Sequence, residues 1–102
     1  MSIKKQYLKN NAVCKITFIL RDKVKGFENV RIAGDFNNWD RNCEPMKMLK
    51  SGGFSQSINF DAGKSYQFKY LINDSLWANE QDSDQMITNG LGPNDYNSVL
   101  IL

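Results

Sequence analysis

Two tryptophans lie in segments rich in turn-forming residues, where aromatic rings can serve as a binding surface. Trp39 lies near the end of the turn-rich run at residues 34–40, which directly follows a strand pattern. Trp77 follows the turn at residues 73–75. Flat aromatic faces suit sugars, because the axial C–H groups of a glucose ring pack on a π-face while nearby amides and amines hydrogen-bond the hydroxyls. The side chains available for those hydrogen bonds are Lys69, Asn38 and Asn97. This combination indicates a carbohydrate-binding surface.

The register of one hairpin decides whether Trp77 belongs to that surface. A three-residue loop at residues 72–74 pairs Lys69 with Trp77 and leaves the ring on the outer face beside the amine. A two-residue loop instead pairs Trp77 with Tyr70 and buries the ring. Because tryptophan is usually largely buried, both arrangements stay open from the sequence.

Side chains suited to catalysis are scarce in this chain. It contains no histidine, which excludes a histidine triad, a histidine general base and a histidine metal ligand. Two cysteines do not make a zinc site, residues 90–93 lack the spacing and lysine of a phosphate loop, and residues 82–84 lack the glycine and glutamate of a calcium loop. Hydrolysis by paired carboxylates needs a deeper cleft than a small sandwich offers. We therefore expect no enzyme activity, no catalytic residue, no metal and no cofactor.

Two-residue alternation of apolar and polar side chains dominates the chain and predicts strands. In residues 14–20 the even positions are apolar, Val30 and Ile32 repeat the pattern, and residues 65–72 place Tyr66, Phe68 and Tyr70 on one face. Short strands separated by frequent turn signals are typical of an immunoglobulin-like antiparallel β-sandwich with about seven strands. The long segment at residues 79–96 shows little alternation and is expected to be a functional loop.

The length of 102 residues predicts one domain. Residues 1–11 are polar and are expected to form a flexible N-terminal arm, while residues 12–102 form the single sandwich. No apolar run approaches the roughly 18 residues of a membrane span, and the first residues lack a signal-peptide pattern. A cytoplasmic protein is therefore expected, with Cys14 and Cys43 reduced.

The charge distribution argues against nucleic acid as a partner. The net charge is only +2, and the last third of the chain is acidic. Its carboxylates would repel a phosphate backbone, whereas a neutral ligand is tolerated there. The acidic residues concerned are Asp74, Glu80, Asp82, Asp84 and Asp95. We expect neither nucleic acid nor membrane to be a partner.

In the order of three motifs, the chain resembles the isoamylase-type early-set domains, known as carbohydrate-binding module family 48. The motifs are Gly-x-Phe-Asn-x-Trp at residues 34–39, the strand around Lys69 with Trp77 behind it, and the closing strand that begins with Asn97. The resemblance covers residues 12–102 and implies an early-set β-sandwich. The family includes the glycogen-binding module of the AMP-activated protein kinase beta subunit and the N-terminal domains of branching and debranching enzymes.

The resemblance implies non-catalytic binding of α-1,4-linked glucan, which means glycogen, starch or maltooligosaccharide. Trp39 and Trp77 would stack on glucose rings, and Lys69 and Asn97 would hydrogen-bond hydroxyls. Leu91 would push into the ring of α-linked glucose units. The carbohydrate-binding residues expected on this basis are Trp39, Lys69, Trp77, Leu91 and Asn97.

One departure from the family pattern and one alternative function accompany this resemblance. The kinase module has a threonine directly after a Leu-Gly pair. In this chain Leu91 and Gly92 form that pair, but Pro93 and a longer stretch follow it. Early-set domains in large enzymes also pack against a catalytic domain. The alternative is therefore a protein–protein interaction module that retains the fold and partners an α-glucan-active enzyme or a regulatory complex.

Overall fold

A computed structural model describes residues 2–20, 27–92 and 95–102, and Pro93 lies outside these ranges. The described residues form nine strands and one short 3-10 turn, and none of them belongs to a helix long and apolar enough to cross a bilayer. The strands are β1 (Ser2–Leu8), β2 (Val13–Leu20), β3 (Val30–Gly34), β4 (Lys47–Met48), β5 (Phe54–Asp61), β6 (Ser65–Ile72), β7 (Leu76–Ala78), β8 (Gln85–Thr88) and β9 (Tyr96–Ile101). The 3-10 turn spans Asp35–Asn37 and follows β3.

The described strands form two antiparallel sheets, which confirms the predicted all-β sandwich. The first sheet has the order β1-β2-β5-β4, and the second has the order β3-β6-β9-β8. Strand β7 pairs with β6 beyond the end of β9, so that β6 is the centre of the second sheet. The predicted hairpin between residues 46–48 and 54–60 is present as the β4–β5 pair.

The core lies between the sheets, at the alternating positions that the sequence predicts. Phe18 of β2 is fully buried, and its ring meets Phe68 and Tyr70 of β6 edge-on at centroid distances of 5.4 and 6.3 Å. Such aromatic pairs add about 0.5–1.5 kcal/mol each beyond the area they bury. The other buried positions predicted for β2 and β3 are Cys14, Ile16, Leu20, Val30 and Ile32. The core faces of β2, β3 and β6 thus follow from the period of two.

The N-terminal residues differ from the expected flexible arm at residues 1–11. Strand β1 pairs with β2 along its whole length, from Ser2 opposite Ile19 to Leu8 opposite Val13. The Lys5 ammonium also contacts the carboxylate of Asp84, the residue directly before β8 of the second sheet, at 2.7 Å. The polar composition of β1 is that of an edge strand, because edge strands carry lysines that discourage pairing with other chains.

The segment at residues 79–96, expected to be a loop, contains strand β8. All four residues of β8 are exposed, and the strand pairs with β9 at the edge of the second sheet. A strand exposed on both faces has no apolar–polar alternation, so its sequence does not carry the signal that identifies half-buried strands. The loop that remains between β8 and β9 begins at Asn89.

A buried carboxylate ties the β7–β8 connection to the core. Glu80 is fully buried and accepts hydrogen bonds from the Tyr70 hydroxyl at 2.7 Å and from the Asp82 backbone N–H at 3.0 Å. Its own N–H donates to the Ser98 hydroxyl at 2.9 Å. Burial of the hydroxyl, and next the Glu80 carboxylate, raise the pKa of Tyr70, so the hydroxyl remains a donor at neutral pH.

Replacing Tyr70 by phenylalanine should destabilise the fold by about 2 kcal/mol, because the buried Glu80 carboxylate then loses a donor. Urea unfolding followed by circular dichroism measures this change. Tyr66→Phe is the matched control, since the Tyr66 hydroxyl donates to the Asp61 carbonyl at 3.2 Å in an exposed setting. That control should change stability by less than about 1 kcal/mol, and equal losses in the two variants would contradict the role given to Glu80.

Candidate functional site

The turn after β3 holds Trp39 through its own backbone. The Asn37 side chain accepts a hydrogen bond from the Gly34 N–H and donates one to the Ile32 carbonyl, both at 3.0 Å. The Trp39 N–H donates to the Gly34 carbonyl at 2.9 Å. Asn38 and Trp39 both have left-handed backbone angles, with φ of 57° and 56°. A bulky residue in this conformation costs about 1–3 kcal/mol, and such strain is concentrated at functional sites.

The Trp77 hairpin has a register that differs from both arrangements considered from the sequence. The connection between β6 and β7 is residues 73–75, and Trp77 lies opposite Leu71. Asn73 and Asp74 both have positive φ, which lets the three-residue turn begin one position later than expected. Leu71 and Lys69 point to the same outer face of β6, so the Trp77 ring opposite Leu71 also lies on that face. The three-residue loop considered from the sequence predicts the same face, although it pairs Trp77 with Lys69.

The two tryptophan rings meet at one end of this face. Their centroids are 6.4 Å apart, and their planes are inclined by 67°. Both side chains are half-buried. The Arg41 guanidinium lies over the Trp77 ring, 5.8 Å from its centroid, and the Trp39 indole N–H donates to the Asp35 carboxylate at 3.3 Å. The rings therefore form an angled aromatic surface that is fixed by its neighbours.

An open groove of about 510 Å³ lies against this aromatic surface. It brings together all five residues expected to bind carbohydrate, which are Trp39, Lys69, Trp77, Leu91 and Asn97. Four further residues line the groove and were missed from the sequence, namely Asp35, Gln67, Asn89 and Asp95. Two of them carry a sequence signal, because Gln67 alternates with Lys69 on the outer face of β6 and Asp35 lies in the same turn-rich run as Trp39. Asn38 is exposed in the turn and is not among the lining residues.

A network of hydrogen bonds positions the amine and amide groups in the groove. The Asp95 carboxylate accepts from the Lys69 ammonium at 2.7 Å and from the Asn89 amide at 2.8 Å. The same Asn89 amide donates to the Asn97 side-chain oxygen at 3.1 Å, and the Asn97 amide donates to Gln67 at 3.0 Å. An ammonium has three N–H groups, so Lys69 can donate to a ligand without losing Asp95. This arrangement lowers the entropy lost on binding, because the polar groups are already held.

Leu91 stands at the tip of the connection between β8 and β9. Its side chain is 81% exposed, and its N–H donates to the Asn89 side chain at 3.0 Å. Asn89 therefore links the loop that carries Leu91 to the polar network of the groove. The departure from the family pattern at Pro93 falls in this connection but lies outside the described residues.

The Asp95 carboxylate is ionised at neutral pH. Hydrogen bonds from Lys69 first, and then from Asn89, lower the pKa of Asp95 below its usual value of 3.8. A carboxyl whose pKa is lowered by folding stabilises the folded state above its unfolded-state pKa, and that contribution is lost as the pH falls through the folded-state value. The Lys69–Asp95 pair is therefore intact at neutral pH and breaks only in acid below about pH 3.8.

The groove combines aromatic faces with hydrogen-bonding groups that suit a ring-shaped molecule rich in hydroxyls. In the described part of the chain, no three side chains of histidine, cysteine, aspartate or glutamate come together as a metal site would require. No model of a known protein family matches the chain, and no curated protein matches its sequence. The residues of the groove must therefore indicate its ligand.

Proposed function

We propose that this protein binds α-1,4-linked glucan, such as glycogen, starch or a maltooligosaccharide, and catalyses no reaction on it. The observation that carries the proposal is the meeting of Trp39 and Trp77 at the groove that also contains Lys69 and Asn97. Stacking surfaces and hydroxyl partners thus lie within reach of one ligand. The resemblance of the motifs to family 48 modules supports the same ligand.

The angle between the tryptophan rings favours a curved glucan over a flat one. The ring planes of Trp39 and Trp77 are inclined by 67°. An α-1,4 linkage coils the glucose chain, so successive sugar rings turn their faces in different directions, whereas a β-1,4 chain is extended and flat. Two inclined indoles can stack on successive sugars of the coiled chain, and coplanar indoles would suit the flat one.

The remaining groups of the groove fit the other surfaces of such a coil. The Lys69 ammonium and the Asn97 amide can donate to sugar hydroxyls at the edge of the chain. Leu91 offers an exposed apolar side chain beside the groove. The inner surface of an α-glucan coil is lined by C–H groups, so an apolar tip of this kind can enter it favourably.

We place this activity in the cytoplasm. Both cysteines are free thiols, with Cys14 buried and Cys43 half-buried. Free thiols persist in reducing compartments such as the cytoplasm. Burial of Cys43, and next the Asp40 carboxylate, raise the pKa of that thiol, which keeps it protonated and little reactive at neutral pH.

Titration with maltoheptaose and with β-cyclodextrin, followed by tryptophan fluorescence and calorimetry, tests the proposal. A saturable fluorescence change is expected for both α-linked ligands, because both indoles would leave water on stacking. Cellohexaose is the matched control, since it has the same sugar in β-1,4 linkage, and it should bind more weakly. An unchanged spectrum and no heat at millimolar maltoheptaose would rule the proposal out.

A further inference from the structure

The charges that line the groove are unbalanced toward the negative. Within the described residues, the charged side chains lining it are Asp35, Lys69 and Asp95. Lys69 is the cation of this set, and its ammonium is already paired with Asp95 at 2.7 Å. The side chain of Asp95 is 40% exposed, compared with 12% for Lys69. A ligand entering the groove therefore meets more of the carboxylate than of the ammonium.

The second carboxylate is also fixed at the groove. The Asp35 carboxylate accepts hydrogen bonds from the Gln67 backbone N–H at 2.9 Å and from the Trp39 indole at 3.3 Å. Both carboxylates can still accept hydrogen bonds from sugar hydroxyls, because each oxygen has more than one lone pair. An anionic group on the sugar has no hydrogen to offer and is repelled. Two unit charges 4 Å apart interact by about 1 kcal/mol in water and about 4 kcal/mol near a protein surface.

We propose that Asp95 is a specificity-determining residue that restricts the groove to uncharged glucan and rejects glucan carrying carboxylate, phosphate or sulfate groups. This inference rests on the proposed glucan binding. Asp95 acts in two ways, since it neutralises Lys69, which would otherwise attract an anion, and it adds its own exposed negative charge. Its role is separate from stacking on the tryptophans. The Arg41 guanidinium lies over the Trp77 ring but does not line the groove, and it is unchanged in variants of Asp95.

Calorimetry with a matched pair of ligands tests this proposal at neutral pH and low ionic strength. The probes are β-cyclodextrin and β-cyclodextrin whose C6 hydroxymethyl groups are oxidised to carboxylates, which changes the charge of every sugar with little change in size. The protein should bind the oxidised ring at least about tenfold more weakly than the neutral ring. Because the discrimination is electrostatic, the ratio of the two dissociation constants should shrink at high salt.

Asp95→Asn removes the charge and keeps an oxygen that can accept from Lys69 and Asn89. In this variant the ratio of the dissociation constants, oxidised over neutral, should fall about tenfold. Asp95→Ser gives a second measurement of the same loss of charge, and circular dichroism checks that both variants are folded. Asp61→Asn is the matched control, because it changes the net charge equally on β5 of the other sheet, where the Asp61 side chain is 75% exposed. Its ratio should equal that of the unaltered protein.

The outcomes separate this proposal from glucan binding itself. If the unaltered protein binds β-cyclodextrin and the two Asp95 variants leave the ratio unchanged, the role of Asp95 is overturned while glucan binding stands. An equal fall in Asp61→Asn would also overturn it, because the effect would then come from net charge alone. If neither ring binds the unaltered protein, the proposed function fails and the specificity of Asp95 fails with it.

Discussion

Replacing Trp77 by alanine should weaken the binding of maltoheptaose by about thirtyfold or more. Buried or half-buried tryptophans at binding surfaces contribute about 2 kcal/mol or more when truncated, and each 1.4 kcal/mol is a factor of ten in affinity. The loss should be large here because the ring supplies half of the angled aromatic surface. Calorimetric titration with maltoheptaose measures it directly.

Leu76→Ala is the matched control for Trp77→Ala. Leu76 precedes Trp77 on the same short strand, is 57% exposed and points to the opposite face of β7. Its truncation should leave the affinity for maltoheptaose within about twofold, since surface substitutions away from the site are nearly neutral. Retained affinity in Trp77→Ala would show that the ring does not contact the glucan.

The double variant of Trp39 and Trp77 adds a second criterion for the same surface. The two rings are in contact, and residues in contact give effects that do not simply add. Each single alanine variant should already disturb the position of the remaining ring, so the double variant should lose less than the sum of the two single losses. Full additivity would indicate that the rings bind separate parts of the ligand.

Most of the sandwich could be predicted from the sequence because its central strands are buried on one face. The alternation in β2 and β6 places Phe18 and Tyr70 inward, and both are fully buried. The edge strands β1 and β8 lack that alternation, each for a different reason. Strand β1 carries the lysines of an exposed edge, while β8 is exposed on both faces and shows no period.

The site could be predicted only in part, because short-range patterns do not fix contacts between distant residues. The motif around Trp39 and the strand around Lys69 were sufficient to propose a common surface. The Lys69–Asp95 pair joins residues 26 positions apart, and no local pattern indicates it. The Trp77 register was also missed, because it depends on two left-handed residues, Asn73 and Asp74, that the chain could place in more than one turn.

Gly34 joins the fold to the site, because it is both the last residue of β3 and the anchor of the Trp39 turn. A Cβ atom at this position would lie 2.3 Å from the Gln67 carbonyl oxygen and 2.8 Å from the Phe68 Cβ. Neither neighbour can move freely, since one is backbone of the central strand and the other belongs to a buried side chain. The two strands must therefore separate to accept any side chain here.

Gly34→Ala should consequently destabilise the protein by about 3 kcal/mol, at the upper end of the usual cost of overpacking. Urea unfolding measures this loss. The fraction that remains folded should bind maltoheptaose more weakly, because the hydrogen bonds from Gly34 to Asn37 and from Trp39 to Gly34 set the position of the Trp39 ring. Gly92→Ala is the control, since its nearest neighbour would be the Asp95 Cβ at 4.0 Å, and its stability should change by less than about 0.5 kcal/mol. Equal losses of stability in Gly34→Ala and Gly92→Ala would contradict the explanation that the close approach of β3 to β6 requires glycine at position 34.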